Sequence, residues 1–103
     1  MNAGSGFRTF GDFYPFYLRE HRNRISRRLH FVGTSLALAL LVLTLATRIW
    51  WLAAVALAAG YAFAWVGHFF FERNKPATFK HPWFSLMGDW RLWWETLTRK
   101  MPF

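Results

Sequence analysis

Four histidines, His21, His30, His68 and His81, are the side chains in this sequence best suited to chemistry. One lies in WVGHFFFERNKP, Trp65 to Pro76, where Glu72 follows His68 by four residues, a spacing that makes two side chains neighbours on one helical face. Imidazoles beside a carboxylate suit iron(II), zinc or manganese, and two histidines with one carboxylate and open positions are associated with oxygen-activating iron. Cysteine is absent, which removes thiolate ligands, disulfides and cysteine nucleophiles. All four histidines are therefore candidate metal ligands. Glu72 is the candidate catalytic carboxylate, as a ligand, an acceptor for a histidine N–H, or a proton acceptor. No Ser/His/Asp arrangement competes with this set, and the opening MNAGSG reads as a flexible tail, without the lysine and flanking strand of a phosphate loop.

The elements that must position these groups are apolar. Of 103 residues, 54% are hydrophobic and 21% aromatic, more than a soluble core of this size hides, so the excess must face lipid. Two runs are long enough to cross a bilayer at roughly 20 residues per span, residues 27–47 and 49–72, and only Arg48 separates them. The expected fold is all-α: an integral membrane hairpin of two transmembrane helices, flanked by amphipathic interfacial helices over residues 7–25 and 83–100. Within the hairpin, Gly33, Ala37, Ala54, Ala58 and Gly60 are the small residues expected to let the spans approach. His30 lies eighteen residues before Arg48 and His68 twenty after it, so at 1.5 Å of rise both return to about the same depth, ~27 and ~30 Å from the turn.

His21 is nine residues from His30, and an unbroken helix would turn the two roughly 180° apart. A break between Asn23 and Ser26, with Ser26 as the N-cap of the first span, lets both reach one site. After the second span, Trp83, Leu86, Met87, Trp90, Trp93, Trp94, Leu97 and Met101 form an apolar stripe, with Gly88, Asp89, Arg91, Glu95 and Arg99 opposite. A Trp-rich stripe with a basic polar face suits the headgroup boundary.

Charge sets the orientation. Arg19, Arg22, Arg24, Arg27 and Arg28 precede the first span and Arg73, Lys75 and Lys80 follow the second, so the positive-inside rule puts both termini in the cytoplasm. The +8 net charge thereby reads as contact with membrane lipid headgroups and not with nucleic acid. Arg27, Arg28 and Lys75 are also candidates for holding the carboxylate of a fatty substrate. The first apolar run begins about thirty residues in and a second follows directly, so no secretory signal is expected. A homo-oligomer is expected, because two spans seldom bury a site alone.

Taken together, Tyr17 to His21 (YLREH), Asn23 to His30 (NRISRRLH) with Phe31 to Thr34, the block WVGHFFFERNKPATF, and Ser85 to Asp89 (SLMGD) resemble the family of the fungal endoplasmic-reticulum 2-hydroxy fatty acid dioxygenase, long catalogued as a domain of unknown function, and most of all its short bacterial members. The resemblance implies an iron(II)- and O2-dependent enzyme of fatty-acid alpha-oxidation in the bacterial inner membrane. Such an enzyme shortens a 2-hydroxy fatty acid, or a related lipid, by one carbon with release of CO2. It further implies His21, His30 and His68 as iron ligands, with His81 a fourth candidate. The fungal enzyme is longer, with more spans. Two other classes are consistent with the residues: a non-enzymatic lipid-binding or scaffold hairpin, and a small haem protein with His30 and His68 as axial ligands.

Overall fold

The computed structural model describes residues 7–103, and every regular element among them is helical; the MNAGSG tail lies outside the described residues. In chain order the helices are α1, Phe10–Arg19; α2, Arg24–Thr47; α3, Trp51–Val66; and α4, Pro82–Leu97. A π-helical turn, Gly67–Glu72, prolongs α3, and a 3-10 turn, Ala77–Phe79, leads into α4.

The chain does break between His21 and His30. α1 stops at Arg19, short of residue 25, and α2 starts after Asn23, whose side chain accepts the N–H groups of Ile25 and Ser26 at 2.9 and 3.1 Å. Asn23 is therefore the N-cap in place of Ser26, which lies inside the first turn and is buried. An asparagine cap satisfies two of the N–H groups that a helix start leaves unpaired.

α2 runs for 24 residues and α3 with its π-turn for 22, about 36 and 33 Å of helix against a hydrocarbon core of roughly 30 Å. Both are long and apolar enough to cross a membrane. Arg48 ends α2 in the left-handed conformation, φ 59°, with its N–H on Thr44 O at 2.8 Å, and the chain reverses at once into α3. The two helices then pack along their length. Gly33 brings its backbone so close to Phe63 that a Cβ would stand 2.4 Å from that residue's Cβ, and Gly60 faces Ala37. Ala54 and Ala58 point outward instead, and it is Ala56 that is buried.

α1 and α4 close over one end of this hairpin. Their shared core is Phe13, Tyr14, Tyr17, Ala77 and Leu92, with Phe7, Phe10 and Phe84 packed around it. The inward face of α4 is made of Ser85, Gly88, Leu92 and Thr96, so Gly88 does not lie on an outer polar face. The tryptophan stripe divides: Trp93 donates its indole N–H to Ser35 Oγ at 2.9 Å, whereas Trp83 and Trp94 remain 69% and 55% exposed and turn their rings away from the protein.

Candidate metal centre

Where α1 ends, α2 begins and α3 passes into its π-turn, three imidazoles meet. His21, His30 and His68 are each only 3% exposed. The His21 ring is the centre of the group, with its centroid 5.5 Å from that of His30 and 4.5 Å from that of His68. Each ring is delivered by a local feature of the chain. The interruption at residues 20–23 swings His21 back over the end of α2, and Asn23 fixes the start of the helix that carries His30. Gly67 lets the π-turn carrying His68 press against α2, since a Cβ there would meet Ser26 Oγ at 2.8 Å. π-turns occur often at functional sites.

The hydrogen bonds orient the rings. His21 Nδ1 lies 2.7 Å from the Tyr17 carbonyl and His68 Nδ1 lies 2.7 Å from Asn74 Oδ1. Each acceptor calls for a protonated Nδ1, which leaves the Nε2 lone pair available; this is how metal-binding histidines are usually held. Asn74 is itself anchored by donation from Nδ2 to Glu20 O at 3.2 Å. It occupies that place because Arg73 ends the π-turn in the left-handed conformation, φ 58°, and the Asn74 N–H returns to His68 O at 3.0 Å. Burial pushes the His21 pKa well below its usual 6.5, with His30 and His68 adding to the shift. His21 is therefore neutral, the form that ligates metals.

His30 is held by groups from two other helices. Its Nε2 stands 3.2 Å from Asp89 O, 3.4 Å from the Tyr17 hydroxyl and 3.9 Å from Asp89 Oδ1, while its Nδ1 is buried without a hydrogen-bond partner. The Tyr17 hydroxyl donates to Asp89 Oδ1 at 2.5 Å. That reach depends on Gly88, whose missing side chain lets the Tyr17 ring lie on the α4 backbone; a Cβ would sit 2.9 Å from Tyr17 Cδ1. Burial raises the Asp89 carboxyl above its usual value and raises the Tyr17 hydroxyl well above 10.

These residues suit a divalent ion in donor chemistry, and two of their ring separations lie near those of shared coordination. With metal–nitrogen bonds of about 2.1 Å, two adjacent imidazoles on one ion hold ring centroids roughly 4.5–5.3 Å apart, close to the separations here. Among the described residues, no three His, Asp or Glu side chains already stand in ligand geometry, because His30 Nε2 is turned toward Asp89 and Tyr17. The orphaned His30 nitrogen and two imidazoles with free Nε2 nonetheless make a nitrogen donor set of the kind iron(II) and zinc accept.

Two cavities reach this centre. A chamber of about 20 Å³ is lined by Tyr17, His21, His68, Ser85 and Asp89 among others, and a water-sized molecule needs at least ~10–15 Å³. The buried Ser85 hydroxyl has no partner and lines this chamber. An apolar groove of about 80 Å³, which shares Asp89 with the chamber, runs from His30 down between α2 and α3.

The remaining candidates lie elsewhere. His81 stands at the N-cap position of α4 without a side-chain capping bond and packs edge-on against Phe7 and Phe13, with centroids 5.2 and 5.5 Å away, so it is not brought to the cluster. Glu72 Oε2 accepts the Asn23 N–H at 2.8 Å. It thus pins the α2 cap to the end of the π-turn and makes no hydrogen bond to a histidine. Arg28 Nε donates to Phe103 O at 3.2 Å, Arg27 Nη1 meets Met101 Sδ at 3.3 Å, and Lys75 is exposed beside Phe69 and Phe70. None of these three cations lines either cavity. The residues that sequence reasoning missed are Tyr17, Asn74, Ser85 and Asp89, and each stands inside one of the blocks that carry the family resemblance.

Fold and site together define a class: a small helical protein with a hairpin long and apolar enough for a membrane, and a buried three-histidine centre at one end of it. The chain belongs to the Mpo1-like family, described as 2-hydroxy-palmitic acid dioxygenase Mpo1-like, which it matches over residues 7–101. No curated protein and no solved structure matches it.

Proposed function

We propose that this protein is a membrane-embedded, iron(II)-dependent dioxygenase that removes one carbon from 2-hydroxy fatty acids. The observation that carries the reading is the buried packing of His21, His30 and His68, each imidazole brought by a different element and two of them oriented through Nδ1. The name of the family supplies the reaction class. His21, His30 and His68 would hold the ion, and iron(II) would supply activation of dioxygen. The overall change balances without an external reductant: a 2-hydroxy acid and O2 give the acid one carbon shorter, CO2 and water.

The chain's own groups have definable tasks. The Tyr17 carbonyl and Asn74 fix the tautomers of His21 and His68, so that both present Nε2. Tyr17 and Asp89 keep a proton between them beside His30, where the polar head of a substrate would enter. The Ser85 chamber and the apolar groove would give a small molecule and a lipid tail separate spaces beside the histidines. The hairpin serves the same end. Only 22% and 17% of the apolar windows of its two helices are buried in the protein, so their outward faces would lie in lipid, with the basic flanks on the cytoplasmic side of a bacterial inner membrane.

A haem reading fares worse, since His21 lies against both other imidazoles and leaves no width for a macrocycle between them. A scaffold reading accounts for the Nδ1 hydrogen bonds of His21 and His68 but not for a buried His30 nitrogen left without a partner. The test is anaerobic purification, loading with iron(II), and exposure to a 2-hydroxy fatty acid and O2. The proposal expects the shortened acid and CO2 in equal amounts with matched O2 uptake; iron-loaded protein that consumes no O2 with any 2-hydroxy acid would overturn it.

A further inference from the structure

We propose that the apolar groove beside His30 is an acyl gauge: the substrate tail runs from His30 and Asp89 toward Leu41 and Leu57, and Ala37 and Leu41 set the chain lengths accepted. The proposal deepens the lipid-substrate reading and rests on it. One wall is a stripe of α2, His30, Thr34, Ala37 and Leu41, spaced by four, three and four residues so that all share a helical face. The opposite wall is Ala56, Gly60 and Ala64 of α3, and Leu86 and Trp90 of α4 cover the end nearest the histidines.

Three observations identify the occupant as a single acyl chain with a polar head. Polarity is graded, because His30, Thr34 and Asp89 stand at one end whereas Leu41 and Leu57 close the other. Ala37 meets Gly60 across the seam, and the space beside that contact exists because Ala37 and Ala64 are small where ordinary span residues would fill it. Its length matches one leaflet: eleven residues from His30 to Leu41 give ~16 Å of helix, about half of the ~30 Å hydrocarbon core. A tail leaving a neighbouring leaflet could occupy it without losing its apolar surroundings, so discrimination is steric; the bilayer offers the tail an equally oily alternative.

Two substitutions should move the gauge in opposite directions. Ala37→Leu narrows the groove seven residues below His30, ~10 Å down, and Leu41→Ala opens its far end. Purified variants in nanodiscs would be assayed for turnover, and their metal-free forms for displacement of a fluorescent fatty acid, with straight-chain acids and 2-hydroxy acids of graded length. Ala37→Leu should lower the ratio of long- to short-chain preference by about 10-fold or more, the usual discrimination for a misfitting methylene. Leu41→Ala should shift the optimum upward, and Leu57→Ala provides a second far-end variant should Leu41→Ala fail to fold. Folded variants whose length profiles match wild type in both assays would overturn the gauge, even with turnover intact. Length-dependent displacement without turnover of any 2-hydroxy acid would instead sink the dioxygenase reading and leave the gauge standing.

Discussion

Replacing Asn74 with alanine separates a metal-orienting role from a purely structural one. Asn74 accepts from His68 Nδ1 at 2.7 Å and donates to Glu20 O at 3.2 Å, tying the π-turn to the end of α1. Two lost hydrogen bonds at about 0.5–1.5 kcal/mol each should lower stability by ~1–3 kcal/mol. The larger consequence falls on the metal. Without its acceptor, His68 is free to take the tautomer that places the proton on Nε2, and loss of such partners usually weakens binding 10–100-fold, or about 1.4–2.7 kcal/mol. The assay is iron(II) titration of the apoprotein beside thermal unfolding in the same detergent. Asn74→Asp keeps the acceptor and loses the donor, so it should recover most of the affinity and about half of the stability. An alanine variant that is destabilised yet binds iron with wild-type affinity would refute the orienting role.

Other outcomes follow from the same geometry. Glu72→Gln should leave iron affinity within about 3-fold, because an amide oxygen can still accept the Asn23 N–H, and titration of the variant checks this. Gly88→Ala should cost about 1–3 kcal/mol by driving a Cβ into the Tyr17 ring, whereas Gly11→Ala, at an exposed helical position where a Cβ would meet only Thr9 Oγ1 at an ordinary 3.8 Å, should stabilise slightly; thermal unfolding compares them. Burial, and then the Glu95 hydrogen bond, raise the Tyr14 hydroxyl above its usual 10. The folded chain therefore keeps that proton after the unfolded chain has lost it. The resulting stability is intact below pH 10 and declines as pH rises above it, and Tyr14→Phe should flatten that alkaline decline in denaturation curves.

The histidine centre was legible where simple geometry decides. Counting residues from Arg48 gave His30 and His68 one depth, and the impossibility of sharing a site along an unbroken helix required the interruption that the structure has. Glu72 bonds away from the histidines for a physical reason. Its spacing from His68 is right for a shared face, but the Asn23 N–H at the start of α2 needed a partner, and that demand draws the carboxylate away. The inward face of α4 was hidden because Ser85, Gly88 and Thr96 are small and polar, and periodicity weights large apolar residues. On a helix bordering lipid those large residues can face outward. Nothing in local patterning shows that Tyr17 lies on Gly88 or that Asn74 folds back to His68; both depend on a left-handed residue or a close approach settled only by packing.

The measurement that bears most directly on the central claim is metal content across four single variants. His21→Ala, His30→Ala, His68→Ala and His81→Ala proteins would be purified, loaded anaerobically with iron(II), desalted, and analysed for bound iron, with circular dichroism to confirm helicity. The three-histidine centre predicts stoichiometric iron in wild type and His81→Ala, and its loss from each of the other three. Iron retained by His21→Ala, His30→Ala and His68→Ala alike, or lost only from His81→Ala, would contradict it.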